Sequence, residues 1–262
     1  MDFIIYILAG AAVGAAIGIT GVGGGSLMTP LLILFGFPYH VAIGTDLLYA
    51  AVTKSGGAIS HYRRGNVRWD LVGILAAGSI PAAFLTTLLL STVFGSPDEY
   101  KPVLTSALGV MLILTSVVLL LKKRIERFTQ RKELQDSEPW FRHHAKAITF
   151  VSGLLLGTFV TLSSVGAGAF CAALLLILYP ALPAIRVVGT DIAHAVPLTL
   201  VAGLGHLIFL GNVDFVLLGC LLIGSLPAIH VGTYLAAKLP NRVMHPLLAS
   251  LLLLLGCKFA FF

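Results

Sequence analysis

The stretch Thr20-Gly21-Val22-Gly23-Gly24-Gly25-Ser26 decides how this chain folds. It separates an apolar segment at about residues 3 to 20 from a shorter one at about 26 to 37. Glycines this dense interrupt a helix more thoroughly than close packing requires. A helix of about 12 residues rises about 18 Å, roughly 12 Å less than the thickness of a hydrocarbon core. The glycine run is therefore expected to pass through a membrane without helix, which is tolerated only where protein or a watery cavity surrounds it. The short helix after it would aim free N–H groups and the positive end of its dipole into the bilayer interior, which suits an anion.

Composition agrees. Of the 262 residues, 58% are hydrophobic and 11% charged, with a mean hydropathy of +0.99; a soluble domain carries about 25% charged residues. The net charge of +6 comes from residues flanking apolar spans, the pattern of cytoplasmic loops, so no nucleic-acid partner is expected. Cys171, Cys220 and Cys257 lie singly in apolar stretches and give neither a disulfide frame nor a zinc site. The glycine run matches no phosphate-binding loop, so neither cofactor nor metal is expected. Asp2, with no Lys or Arg before the first apolar run, makes that run a span and not a signal peptide.

Beyond the first two segments lie others at about 41 to 60, 70 to 92 and 103 to 121. After a charged stretch come 146 to 162, 169 to 179, 184 to 209, 214 to 237 and 243 to 261. The second and the seventh are too short to cross a bilayer; the others are long enough. At an offset of 145, Gly21, Gly23, Gly44-Thr45-Asp46 and His61 match Gly166, Gly168, Gly189-Thr190-Asp191 and His206. One residue further on, Gly65-Asn66-Val67 matches Gly211-Asn212-Val213, and Gly78-Ser79-Ile80-Pro81-Ala82 matches Gly224-Ser225-Leu226-Pro227-Ala228. In the first copy the loop with Arg63, Arg64 and Arg68 is basic; its counterpart, His206 to Asp214, has no Lys or Arg, and the next loop carries Lys238 and Arg242. That swap of sides predicts inverted topology with an odd number of crossings per half.

The expected fold is thus an all-α polytopic membrane protein of two inverted repeats, each of five apolar segments whose second is a short broken helix. The first repeat covers 1–121, a charged cytoplasmic connector 122–146, and the second repeat 147–262. Both termini should be extracytoplasmic, and the chain should be multi-pass in the plasma membrane.

Candidate site residues cluster at the two breaks. Thr20, Gly21, Gly23, Gly24, Gly25 and Ser26 in the first, and Ser163, Ser164, Gly166 and Gly168 in the second, offer hydroxyls and backbone amides to an anion, with Thr45 and Thr190 beside them. Asp46 and Asp191 are acids inside apolar segments, and such residues mark ion paths or proton relays; capping a helix or binding amides across the repeat interface explains them equally well. His194, three residues after Asp191, shares its helix face and could exchange a proton with it. Lys54 either attracts an anion or snorkels to the nearby cytoplasmic surface. His61 and His206 stand at segment ends, where a solvated histidine is ordinary.

Gly21-Val-Gly-Gly-Gly-Ser-Leu-Met-Thr-Pro30, Ala42-Ile-Gly-Thr-Asp-Leu47, His61 with Gly65-Asn-Val67, Val188-Gly-Thr-Asp191, Gly211-Asn-Val-Asp214 and Gly224-Ser-Leu-Pro227 resemble the TauE/SafE family of membrane permeases. The resemblance covers nearly the whole chain except the central loop. It implies a two-repeat plasma-membrane transporter of sulfite, a sulfonate or a related sulfur-containing or organic anion.

The function expected is a secondary transporter that holds a small anion between the two breaks, works by alternating access and takes Asp46, Asp191 and His194 for a coupled proton. Its partners would be the anion and the bilayer, with a homodimer left open. An anion channel would share the broken helices without showing counterflow. An intramembrane aspartyl protease built on the two acids is the enzymatic alternative, against which stands Gly-Thr-Asp in place of Gly-x-Gly-Asp.

Overall fold

The computed structural model describes residues 2–20, 25–132, 144–236 and 241–261; side chains are not described for every one of these. Among the described residues all regular structure is helical. The helices are α1 (Asp2–Thr20), α2 (Gly25–Leu34), α3 (Tyr39–Arg63), α4 (Trp69–Val93), α5 (Pro97–Lys132), α6 (Ala145–Ser163), α7 (Ala169–Leu178), α8 (Ala184–Leu210), α9 (Phe215–Ala236) and α10 (Asn241–Phe261). Among the described residues, five stretches are long and apolar enough to cross a membrane: Trp69–Val93, Pro97–Leu121, Ala145–Ser163, Ala184–Leu210 and Phe215–Gly232. α3 matches α4 in length but carries Asp46, Lys54 and a run of small and polar residues. It sits in the interior, with every residue from Ala42 to Ala51 buried.

α2 and α7 have 10 residues each, enough for about 15 Å. Each turns back towards the end from which its predecessor started. Phe37, just past α2, lies with its ring centroid 5.3 Å from that of Tyr6 in α1, and the hydroxyls of Tyr179, just past α7, and Thr149 in α6 are 2.9 Å apart. The charged stretch is partly helical: α5 runs without a break from the apolar span through Lys132, while 133–143 lie outside the described residues.

Two ends of the bundle can be told apart by contacts. At one end Lys101 stands over the Tyr39 ring, Tyr39 meets Phe259, and Asn212 donates to the Tyr100 hydroxyl. That end gathers the α2–α3, α4–α5 and α8–α9 turns with the close of α10. At the other end Tyr62 packs edge-on against Trp69 and Arg68 pairs with Asp70, near the starts of α4 and α8.

Packing follows a regular rule. α1 lies along α9 as α6 lies along α4, α3 meets α9 as α8 meets α4, and α3 with α8 and α5 with α10 form the two remaining large interfaces. Exchanging the first five helices for the last five leaves these partnerships unchanged. Gly10 and Gly14 bring α1 against the backbone of Leu221 and Ser225 in α9; Gly153 and Gly157 bring α6 against Leu75 and Ser79 in α4. Small residues four apart allow such approach in membranes.

Candidate functional site

α3 and α8 cross in the centre, and Gly-Thr-Asp occurs once on each. A Cβ on Gly44 would strike the carbonyl oxygen of Asn212, and one on Gly189 would strike that of Asn66. Beside them, Thr45 Oγ1 accepts the backbone N–H of Asp214 and Thr190 Oγ1 that of Arg68, both at 3.1 Å. The glycine admits the loop of the other half and the threonine fastens it. Gly65 and Gly211, which shape those loops, have φ of 68° and 65°, in the left-handed region that favours glycine. Thr45 and Thr190 thus spend their hydroxyls on joining the halves.

The two acids that follow differ. Asp46 is fully buried, and its Oδ2 accepts both the hydroxyl of Thr29 at 2.5 Å and the backbone N–H of Thr29 at 3.2 Å. It therefore fastens α2 to α3, the helix-binding role that its sequence position left open. Asp191 is 6% exposed; its Oδ1, like that of Asp46, has no hydrogen-bond partner among the described residues, and no helix N–H is bonded to it as Thr29 N–H is to Asp46 Oδ2. The Cys171 thiol, in the first turn of α7, and the Lys54 ammonium are the groups acting on it.

The second break is buried throughout. Ser163 Oγ donates to the carbonyl of Phe159 and accepts the N–H of Val165, which pins the chain where α6 stops. Ser164 is left-handed at φ 58°, a strained state for a residue with a Cβ. The residue is 4% exposed, and its hydroxyl, which is buried and faces Asp46, makes no hydrogen bond. Gly166 and Gly168 carry the chain into α7. The first backbone bond of α7 runs from Ala172 N–H to the carbonyl of Gly168, and no side chain caps the helix. The amides of Ala169, Phe170 and Cys171 therefore precede the helical ladder and point into the break.

Lys54 reaches this break from α3, its Nζ donating to the carbonyl of Ala167 at 2.9 Å. It does not turn to the surface, because α3 crosses α8 and the break at this level. His194 stands near Asp191 in sequence, but no hydrogen bond joins them: its Nε2 shares one of 2.8 Å with Ser79 Oγ of α4, and its Nδ1 is unpartnered. Tyr49 faces Ser225 in the equivalent place, without a hydrogen bond. His206, expected at a solvated segment end, is fully buried and donates Nε2–H to the carbonyl of Thr161 at 2.9 Å.

In the first break Thr20 closes α1 and Gly25 and Ser26 open α2; Gly21, Gly23 and Gly24 lie outside the described residues, as do the side chains of Thr20 and Ser26. Thr29, Ser79 and Cys171 were not singled out from the sequence. Ser79 stands in a repeated Gly-Ser-x-Pro-Ala motif and Cys171 matches Ser26 at the repeat offset, so a signal existed for both. Thr29 has no such signal, since its counterpart is Leu174. Among the described residues, no three His, Cys, Asp or Glu side chains gather as a metal would need.

The family model of sulfite exporter TauE/SafE matches residues 6–259. A protein of Bacillus subtilis (strain 168) named "Probable membrane transporter protein YjnA" is 36% identical over 96% of this chain and 97% of its own. A second from the same organism, "Probable membrane transporter protein YdhB", is 31% identical over 92% of this chain and 96% of its own. A "Probable membrane transporter protein" of Methanocaldococcus jannaschii is 23% identical over 96% and 93%. No solved structure matches. With its apolar crossing helices and this match along nearly its whole length, the chain is a multi-pass membrane protein and belongs to the sulfite exporter TauE/SafE family.

Proposed function

We propose that this protein is a secondary transporter of a small anion, such as sulfite, a sulfonate or a related sulfur-containing or organic anion, working by alternating access in the plasma membrane. The two halves are inverted, with the Lys122 end of α5 cytoplasmic. The α3–α4 and α8–α9 turns at opposite ends of the bundle support that inversion.

One observation carries the anion reading: the Lys54 ammonium lies at the open N-terminus of α7, on the carbonyl of Ala167. A cation, uncapped amides and the unpartnered Ser164 hydroxyl converge in a break lined by protein, and together they favour negative charge. At α2 the carboxylate of Asp46 already bonds the helix. The anion is therefore assigned to the α7 break and not shared evenly between the two. Lys54, Ser164, Gly166, Gly168 and Asp191 form its surroundings, with Asp46 facing Ser164 at their edge, while Thr45 and Thr190 hold the frame.

Counterflow of labelled sulfite, thiosulfate and methanesulfonate in proteoliposomes tests this. A hydrogen bond to a charged group contributes about 1.5–3 kcal/mol, so Lys54→Gln should lower kcat/KM for the transported anion by about 10- to 100-fold. Flux unchanged in that variant would sink the assignment, and flux without trans-stimulation would identify a channel.

A further inference from the structure

We infer that the groove between α3 and α4 is a binding site for one anionic phospholipid, with an acyl chain against α8 and the phosphate on Arg63 and Arg64. The inference concerns the lipid-facing surface and is independent of the anion reading above.

α3 and α4 each pack along α8 but barely meet one another beyond the edge-on pair of Tyr62 and Trp69. The gap left between them is a cavity of about 610 Å3, a size that suits a small ligand. Ile59 and Tyr62 form one wall, Trp69 and Val72 the other, and Ala193 and Pro197 the floor. All six are aliphatic or aromatic, so the groove suits hydrocarbon. Ile59, Tyr62 and Trp69 are each more than half exposed, which places the opening on the outer face of the bundle, where lipid lies.

The groove belongs to this sequence and not to the fold alone. At the repeat offset, Ala58 and Ala193, which both line it, match Gly203 and Leu48. There the leucine fills the space: a Cβ on Gly203 would strike the side chain of Leu48. With alanine in place of that leucine, the corresponding space between α3 and α4 is left open.

The end of the groove indicates what occupies it. Tyr62 and Trp69 stand nearest the α3–α4 turn, and amphipathic rings of this kind sit at headgroup level. Arg63 and Arg64 follow Tyr62 directly and are exposed. Arg68 is paired with Asp70, whereas no ion pair involving Arg63 or Arg64 is found among the described residues. Two unpaired cations at the end of an apolar groove complement a phosphodiester joined to an acyl chain. A second copy of the chain fits less well, since a two-fold contact at this face would bring the same arginines together.

Trp69 and Trp140 are the two tryptophans of the chain, so Trp69 reports on the groove in a Trp140→Phe background. Its fluorescence is followed in delipidated protein in detergent as phospholipids with brominated acyl chains are added. Phosphatidylglycerol should quench it saturably at one lipid per chain, with a preference over phosphatidylcholine of about 5-fold for each arginine. Arg63→Gln combined with Arg64→Gln should abolish that preference and leave quenching by phosphatidylcholine as it was. Ala193→Leu, which gives the groove the residue of the other half, should weaken the binding of both lipids by about 10-fold. Ala58→Leu repeats that test if Ala193→Leu does not fold. Equal affinity for the two lipids, or a preference that survives the loss of both arginines, overturns the assignment of the headgroup. Wild-type quenching in a folded variant with the groove filled overturns the site, as does a dimer that buries Trp69 and dissociates when the groove is filled.

Discussion

Asp46 and Asp191 occupy matching places in the repeat but have different hydrogen-bond partners. Thr29 gives Asp46 two donors; Leu174, in the matching place, can offer no hydroxyl to Asp191. Removing the donor should therefore cost stability. Thr29→Val deletes a hydroxyl bonded to a fully buried carboxyl group, and unfolding in detergent should register a loss of about 1.5–3 kcal/mol. Thr199→Val is the comparison, because that hydroxyl bonds only its own helix, at Ala195 O and Val196 O. Its loss should be that of an ordinary hydrogen bond, about 0.5–1.5 kcal/mol, and equal losses in the two variants would contradict the capping role of Thr29. The sequence singled out both acids but not the difference in their partners. Side-chain partners reach each acid from α2, α7 or the other half, and a single helix face does not encode them. Lys54 illustrates the same limit: its position on α3 was legible, while the carbonyl it bonds lies 113 residues away.

Short helices, breaks and glycine motifs were the legible features at the scale of elements. Helical length against bilayer thickness singled out α2 and α7, and the structure gives each 10 residues. The end of α5 was less legible, since the charge after Leu121 signals departure from the membrane and not the end of a helix; Lys122 to Lys132 remain helical. The close-packing glycines Gly10, Gly14, Gly153 and Gly157 were hidden because their partners lie in α9 and α4. The Gly-Thr-Asp motif was visible as a repeat, but its glycine proves to be a contact device. Gly189→Ala should destabilise the protein by about 1–3 kcal/mol, because the added methyl meets the backbone carbonyl of Asn66, which cannot swing aside like a side chain. Gly73→Ala in α4, where nothing lies within 4 Å of the new methyl, should be neutral or gain up to about 1 kcal/mol from helix propensity. Thermal unfolding of the two variants side by side checks the pair. A stable Gly189→Ala protein would mean that the loop carrying Asn66 is free to withdraw.

On the scale of the whole molecule, the exchange of halves extends from helix partnerships down to individual atoms. Thr45 holds the N–H of Asp214 as Thr190 holds that of Arg68, and Asn212 meets Gly44 as Asn66 meets Gly189. The crossed brackets mean that each half carries the loop that closes the other. A transporter that opens alternately to two sides benefits from this, because loosening one bracket while keeping the other yields two related states from one set of contacts. The arrangement also makes inversion testable without reference to transport. Trp69 and Phe215 match across the repeat, both begin helices and both are more than half exposed. In a background with Cys171, Cys220 and Cys257 replaced by Ala, Trp69→Cys should react with a membrane-impermeant maleimide only from the cytoplasmic side, and Phe215→Cys only from the outside. The basic residues Arg63, Arg64 and Arg68 assign the first to the cytoplasm, while the contact of Asn212 with Tyr100 puts the start of α9 at the opposite end of the bundle. Labelling of both from one side would make the repeats parallel, and the crossed brackets would then have to join loops lying at the same surface.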